Sequence, residues 1–101
     1  MRIQLLSFPG CPNVGAAREM LCAVLASAQI DETVEEVDTT SPDTPETLRG
    51  WGSPTILVNG RDVGGQEAPS GAGCRIYRDE AGSLCRTPPV ALLRAALVVA
   101  A

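Results

Sequence analysis

The chain has 101 residues, a net charge of −4, 45% apolar residues and only one Phe, one Tyr and one Trp. This length corresponds to one domain, residues 1–101, and an acidic chain poor in aromatic residues lacks the basic, stacking surface of a nucleic-acid groove. No apolar segment is long enough to span a membrane, and no N-terminal stretch has the organisation of a signal peptide. We therefore expect a cytoplasmic protein that binds neither nucleic acid nor membrane.

The first half of the chain predicts a strand, a helix, a second strand and a short helix. Residues 3–8 form an apolar run typical of a buried strand, and Cys11-Pro12 is expected to open the helix because proline suits the first helical position. Apolar residues then recur at helical spacing: Val14, Ala17, Leu21, Val24, Leu25 and Ala28. Residues 33–38 predict the second strand, and a loop over residues 41–45 leads into the short helix.

The second half predicts strands and turns before a last helix. Residues 55–58 and 61–63 are expected to form a hairpin, because Asn59-Gly60 between them is the strongest short hairpin signal. The remaining predicted elements are a Gly- and Pro-rich loop at 64–73, a hairpin with strands at 74–78 and 83–86, and a helix that begins at Thr87 and Pro88. A strand-helix-strand start requires a parallel pair, so the order of elements predicts a mixed central sheet with helices on both faces.

Two short motifs are the candidates for chemistry. One is Pro9-Gly10-Cys11-Pro12-Asn13, and the other is Gly52-Ser53-Pro54-Thr55, directly before a predicted strand. A cysteine at a helix N-terminus is where a thiolate is stabilised, because unpaired backbone N–H groups and the helix dipole favour negative charge there. We therefore predict that Cys11 is a nucleophile and the most reactive thiol of the chain.

Together these motifs resemble the thioredoxin-like and glutaredoxin-like superfamily. The chain is most similar to small bacterial thioredoxin-like proteins that carry Cys-Pro-Asn and, later, Cys-Arg-x-Tyr. The resemblance implies an α/β thioredoxin-like fold, with a mixed central sheet flanked by helices and an extra hairpin before the last helix. It also implies that the Ser53–Pro54 bond is cis and that Pro54 faces Cys11.

The same resemblance implies a substrate-binding surface and a cofactor candidate. The substrate-binding residues would be Pro12, Trp51, Ser53, Pro54 and Thr55, where Trp51 either roofs the cysteine site or covers the edge of the core. No resident cofactor is predicted; glutathione is the alternative, because the resemblance implies that Gly64, Gly65 and Gln66 match the glutaredoxin segment that holds its carboxylate. The implied partner is a thiol-containing small molecule or protein.

The chain departs from the dithiol motif of the family, because Val14 stands where the second cysteine would be. A thioredoxin-type reductase attacks with one thiolate and resolves with the other, and Cys11 lacks this local partner. Three interpretations remain open. The first two are thiol–disulfide oxidoreductases: a monothiol mechanism resolved by glutathione, and a mechanism resolved by a distant cysteine. The third is no turnover, either as a module that binds a thiol ligand or a soft metal or as a scaffold that pairs with another protein through the Pro54 edge.

The other cysteines differ in how well they suit the resolving role. Cys22 lies about 16 Å from Cys11 along the helix, which is too far for a disulfide, and it is expected to pack in the apolar interior. Cys74 is the best candidate, because the flexible residues 64–73 precede it, and Cys85 is the next. Cys74 and Cys85 are also expected to lie across their hairpin one register step apart, where they could form a local disulfide.

Two further features concern metals and charge. Cys11, Cys74 and Cys85 could together hold a soft metal, but the chain has no Cys-x-x-Cys pair and no His, so no metal site is predicted. Arg75 and Arg78 are expected to be exposed strand arginines, with anion binding as the alternative.

Overall fold

A mixed four-stranded sheet is the centre of the α/β fold in the computed structural model, which describes residues 1–69, 71 and 73–100. The strands are β1 (Ile3–Ser7), β2 (Val34–Asp38), β3 (Thr55–Val58) and β4 (Arg61–Asp62), in the spatial order β2-β1-β3-β4. Strand β1 pairs in parallel with β2 and antiparallel with β3, and β3 pairs antiparallel with β4. The prediction of a mixed central sheet is therefore confirmed.

The helix α1 (Val14–Ser27) connects the two parallel strands. It begins at Val14 rather than at Cys11-Pro12, because residues 8–11 form a tight turn in which the N–H of Cys11 bonds the carbonyl of Phe8 at 3.2 Å. Gly10 makes this turn with φ of +81°, a conformation that few residues other than glycine adopt. The predicted helix start is therefore wrong by three residues, and Cys11 precedes the helix instead of opening it.

The two faces of the sheet are covered differently. Alternate residues of a strand point to opposite faces, so Ile3 and Ile56 face one side while Leu6 and Leu57 face the other. On the first side both α-helices complete the main core cluster, in which Ile3, Leu5, Ala17, Leu21, Val24, Leu25, Ile56, Val58, Val63, Leu93 and Leu97 are buried. On the second side, Leu6 and Leu57 pack with Trp51. Leu48, which belongs to a single 3-10 turn, packs against this smaller cluster.

The prediction of helices on both faces therefore fails for the second face. The short helix expected after the loop at 41–45 is only the 3-10 turn Glu46–Leu48. Pro45 precedes this segment and Gly50, with φ of +81°, follows it, so too few residues remain for a stable α-helix.

Two hairpins follow the third strand. Asn59 and Gly60 have φ of 52° and 81°, the pair of positive angles that a type I′ turn requires, and they join β3 to β4 as predicted. A separate two-stranded hairpin, β5 (Tyr77–Arg78) with β6 (Leu84–Cys85), comes before the last helix and confirms the expected extra hairpin. Between the hairpins, the described part of residues 64–73 contains no helix or strand, and Ser70 and Ala72 of this predicted loop lie outside the described residues.

The last helix, α2 (Val90–Ala100), begins after the predicted Thr87-Pro88 start. The carbonyl of Pro89 accepts hydrogen bonds from the N–H groups of Leu92 and Leu93, so the first turn forms one residue beyond Pro88. Within the described residues, neither helix has the length and apolar character that crossing a membrane requires.

Candidate functional site

Three segments of the chain meet at the end of the sheet where β1 finishes and β3 begins. Near the end of β1, Leu6 pairs with Thr55, the first residue of β3, and Ser53 and Pro54 come directly before Thr55. The turn that ends at Cys11 follows directly after β1. The Ser53–Pro54 peptide bond is cis, as the family resemblance implied.

Cys74 reaches the same end of the sheet from the other side of Ser53. Ser53 and Cys74 form an isolated parallel bridge, in which the N–H of Ser53 bonds the carbonyl of Gly73 at 2.8 Å and the N–H of Arg75 bonds the carbonyl of Ser53 at 2.9 Å. The side chain of Arg75 bonds Asp62 of β4, so Cys74 lies on the β4 side of Ser53, whereas the turn that ends at Cys11 continues from β1. The turn that ends at Cys11 and the Cys74 segment thus lie at the same end of the sheet, on opposite sides of the segment that carries Ser53 and Pro54.

Cys11 itself is shielded from solvent. Only 7% of its surface is exposed, although the preceding Gly10 and the following Pro12 are both exposed. Two residues later in the chain, the side-chain nitrogen of Asn13 is buried and has no hydrogen-bond partner. Cys11 therefore sits at the base of an exposed turn, where a partner has limited access to the sulfur.

The exposure of the other cysteines overturns part of the prediction. All four cysteines are free thiols, and Cys22 is exposed, not packed in the apolar interior. Leu21 occupies the buried stripe of α1, and the next residue along a helix is rotated away from that stripe toward solvent. Because Cys22 is exposed and Cys11 is buried, accessibility no longer supports ranking Cys11 as the most reactive thiol.

The register of the β5–β6 hairpin separates Cys85 from Cys74. Cys85 pairs with Tyr77, three residues beyond Cys74, and Cys74 pairs with Ser53 instead. The expectation that the two cysteines lie one register step apart is therefore wrong. Across the described residues, no group of three Cys, Asp or Glu side chains is arranged to hold a metal ion, and this includes the three cysteines considered for a soft metal.

A buried ion pair lies immediately beside Cys74. Arg75 donates to both carboxylate oxygens of Asp62, with Nη1–Oδ1 and Nη2–Oδ2 distances of 2.7 and 2.6 Å. Its side chain is 8% exposed and that of Asp62 is fully buried. Nη1 also donates to the hydroxyl oxygen of Thr55 at 3.0 Å, and that hydroxyl donates to the carbonyl of Gly52 at 2.6 Å. The expectation of an exposed Arg75 is wrong, because a β4 carboxylate compensates its buried charge.

Tyr77 completes this arrangement, which we call the Arg75 clamp: Arg75, Asp62, Thr55 and Tyr77. The Tyr77 hydroxyl donates to the carbonyl of Pro54 at 2.5 Å, and the Arg75 guanidinium lies 4.5 Å from the centre of the Tyr77 ring. Burial raises the pKa of Tyr77 well above its ordinary value. Burial lowers the pKa of Arg75, but its hydrogen bonds to Asp62 and the nearby negative charge outweigh this, so the net shift is upward.

The predicted substrate-binding residues occupy different environments. Pro12 is exposed, whereas Ser53, Pro54 and Thr55 are buried. Trp51 is 5% exposed and packs with Leu6 and Leu57, which favours its interpretation as a cover for the edge of the core. Its ring centre also lies 5.8 Å from the Arg75 guanidinium carbon.

Gly64, Gly65 and Gln66 border the Arg75 clamp. A Cβ atom on Gly64 would come within 2.7 Å of Nη2 of Arg75, so this position has no room for a side chain. The N–H of Gln66 bonds Oδ2 of Asp62 at 3.0 Å. Gln66 also lines a surface cavity of about 320 Å³ together with Cys74 and Arg75.

Sequence reasoning missed Asp62 entirely and assigned Arg75 and Tyr77 no joint role. A signal for two of them exists in Cys74-Arg75-Ile76-Tyr77, because residues two apart in an extended chain share a face. Asp62 is 13 residues from Arg75, and no local pattern links them.

No protein-family model, no curated protein and no solved structure matches this chain.

Proposed function

We propose that the protein is an atypical thioredoxin-like thiol redox protein in which Cys11 is the nucleophile and Cys74 is the resolving thiol. The observation that supports this most directly is that the Cys11 turn, Pro54 and Cys74 share one end of the sheet. The strand order β2-β1-β3-β4, with α1 joining the parallel pair, supports the thioredoxin-like assignment.

The proposed reaction is thiol–disulfide exchange in two steps. The Cys11 thiolate attacks one sulfur of a substrate disulfide, which forms a mixed disulfide and releases the other half of the substrate as a thiolate. The Cys74 thiolate then attacks the Cys11 sulfur, forming a Cys11–Cys74 disulfide and releasing the second half. The substrate disulfide gains two electrons, the two protein thiols lose two, and their two protons go to the released thiolates.

Access to Cys11 determines the class of substrate. Because only 7% of Cys11 is exposed, a small disulfide such as glutathione disulfide reaches its sulfur more readily than a disulfide held in a folded protein. For a small disulfide other than glutathione disulfide, two molecules of glutathione would return the Cys11–Cys74 pair to its reduced state and leave as glutathione disulfide. We place this chemistry in the cytoplasm, where a reducing thiol pool keeps such pairs reduced.

A second candidate function is capture of a thiol ligand by Cys11 without turnover. The observation that favours it is Val14 at the position of the second motif cysteine, since Cys74 then has to come from a different part of the chain. In this case the Cys11 thiolate attacks the disulfide form of the ligand, forms a mixed disulfide with one half and releases the other half as a thiolate, and Cys74 does not displace the bound half.

Oxidation with glutathione disulfide, followed by non-reducing peptide mapping, separates these functions. We expect the wild type to form a Cys11–Cys74 disulfide and the Cys74→Ser variant to accumulate a Cys11–glutathione adduct. The matched control, Cys85→Ser, should behave as the wild type. A stable Cys11–glutathione adduct in the wild type would support ligand capture instead. Adducts confined to the exposed Cys22 and Cys74 would overturn both.

A further inference from the structure

Cys74 has little regular structure of its own to hold it in place. It lies outside β5, and its pairing with the sheet is the isolated bridge to Ser53. One bridge is a weak restraint, because a short two-stranded contact is marginally stable in water. The residues that follow Cys74 therefore determine where its sulfur is held.

The Arg75 clamp supplies the missing restraint one residue from Cys74. Two parallel hydrogen bonds from Arg75 to Asp62 fix the plane of the guanidinium group as well as its position. Tyr77 adds a second anchor through its 2.5 Å hydrogen bond to the carbonyl of Pro54. The clamp thus ties the Cys74 segment to β3, to β4 and to the Pro54 loop.

Stability alone is a weak explanation for this buried pair. A buried ion pair can often be replaced by apolar side chains with no loss of stability, because its desolvation cost offsets the attraction. In addition, Nε of Arg75 is buried without a hydrogen-bond partner, which adds to the cost of placing the guanidinium here. A positioning role accounts for keeping an arginine next to Cys74.

The alternation of the segment directs Cys74 away from the clamp. Arg75 and Tyr77 are buried, whereas Cys74 and Ile76 are exposed. Both exposed residues line the cavity of about 320 Å³, and Arg75 between them borders it as well. The guanidinium packs closely against Gly64, because a Cβ atom added to Gly64 would lie only 2.7 Å from Nη2. The guanidinium therefore has little room to shift in that direction.

We infer that Arg75 is a positioning residue that holds Cys74 beside Ser53 and Pro54 for attack on the mixed disulfide at Cys11. This inference rests on the proposed function. Lysine at this position keeps the positive charge but cannot make two parallel hydrogen bonds to Asp62. Arg75→Lys should therefore leave formation of the Cys11 adduct unchanged and slow its resolution by Cys74.

The test separates the two steps in single-turnover experiments with glutathione disulfide. In Arg75→Lys we expect resolution to slow by roughly tenfold to a hundredfold, the scale of small misplacements of reacting groups, while the first step keeps its rate. We also expect the rate of Cys74 alkylation by iodoacetamide, relative to that of Cys22, to change. Arg78→Lys, on the same hairpin and exposed, is the matched control and should match the wild type in both measurements.

Two further variants distinguish a positioning effect from a general loss of stability. Tyr77→Phe removes only the hydrogen bond to Pro54 and keeps the ring, so it should show a smaller slowing in the same direction. Leu97→Ala, a core change outside the clamp, lowers stability and should leave the resolution rate of the folded protein unchanged.

Two outcomes overturn these ideas separately. If the wild type resolves its adduct and folded Arg75→Lys and Tyr77→Phe do so equally fast, with unchanged Cys74 alkylation, the positioning role is refuted and the redox function stands. If the wild type never forms a Cys11–Cys74 disulfide, the proposed function fails and the positioning role in it is overturned as well.

Discussion

Removing the charge of Asp62 should destabilise the protein far more than removing the charge of a surface acid. In Asp62→Asn, the guanidinium of Arg75 stays buried but loses its compensating charge, a change that typically costs about 3–5 kcal/mol. Asparagine retains one carbonyl acceptor, and the Thr55 hydroxyl still accepts from Nη1, so we expect the lower end, about 3 kcal/mol. In a domain of this size that corresponds to a fall in Tm of roughly 12–24 °C.

Urea denaturation measures this difference directly, with the midpoint reporting stability and the slope m reporting the surface exposed on unfolding. The matched control is Glu35→Gln, which removes the same charge from the ion pair with Arg2, where the side chains are 66% and 48% exposed. Surface pairs of this kind contribute little, so its midpoint should stay close to that of the wild type. Equal midpoints for Asp62→Asn and Glu35→Gln would refute the assignment of the Asp62–Arg75 pair as buried and mutually compensated.

Three further predictions follow from the exposure, titration and packing of single residues. Pulsed alkylation with peptide mapping should label the exposed Cys22 before the buried Cys11, and the opposite order would show that the Cys11 turn opens freely. Because burial raises the folded-state pKa of Tyr77, its contribution to stability is complete below about pH 10, the unfolded value, and declines as the pH rises toward the folded value. Thermal unfolding of Tyr77→Phe should lack this alkaline decline, and parallel losses in both proteins would contradict it. Gly64→Ala should lower the free energy of unfolding by about 1–3 kcal/mol through overpacking. Gly15→Ala, where an added Cβ meets nothing within 4 Å, should raise it by about 0.5–1 kcal/mol. Urea midpoints that shift in the same direction for both variants would contradict the close packing at Gly64.

The sequence predicted those elements whose determinants are local. Strand β3 and its turn follow from an apolar run ended by Asn59-Gly60, because an Asn-Gly pair favours the positive φ angles of that turn. The stripe of α1 is likewise readable from spacing alone. The start of α1 was mispredicted because Pro12 permits a helix there, whereas Gly10 makes a separate turn that ends at Cys11, and Asn13 is the N-cap of a helix that begins at Val14.

The candidate site was predictable only in part, for the same reason. Cys11 and Pro54 belong to short motifs, so they could be identified without the fold. The burial of Arg75 depends on Asp62, which comes close only after the β3–β4 hairpin and the following loop have folded. The exposure of Cys22 depends on where the buried stripe of α1 faces the sheet, and a cysteine bordering that stripe is compatible with either side.

The separation of the β5–β6 hairpin from the main sheet has a consequence for hydrogen exchange. The hairpin forms its own two-stranded sheet and is joined to the larger one through the Ser53–Cys74 bridge and the Arg75 clamp. Such a unit can detach while β1 and the core cluster remain folded, so its amide protons exchange at a lower free energy than those of β1. The frequency of this local opening, and not the chemistry of either thiol alone, then determines how often Cys74 leaves its place beside Pro54.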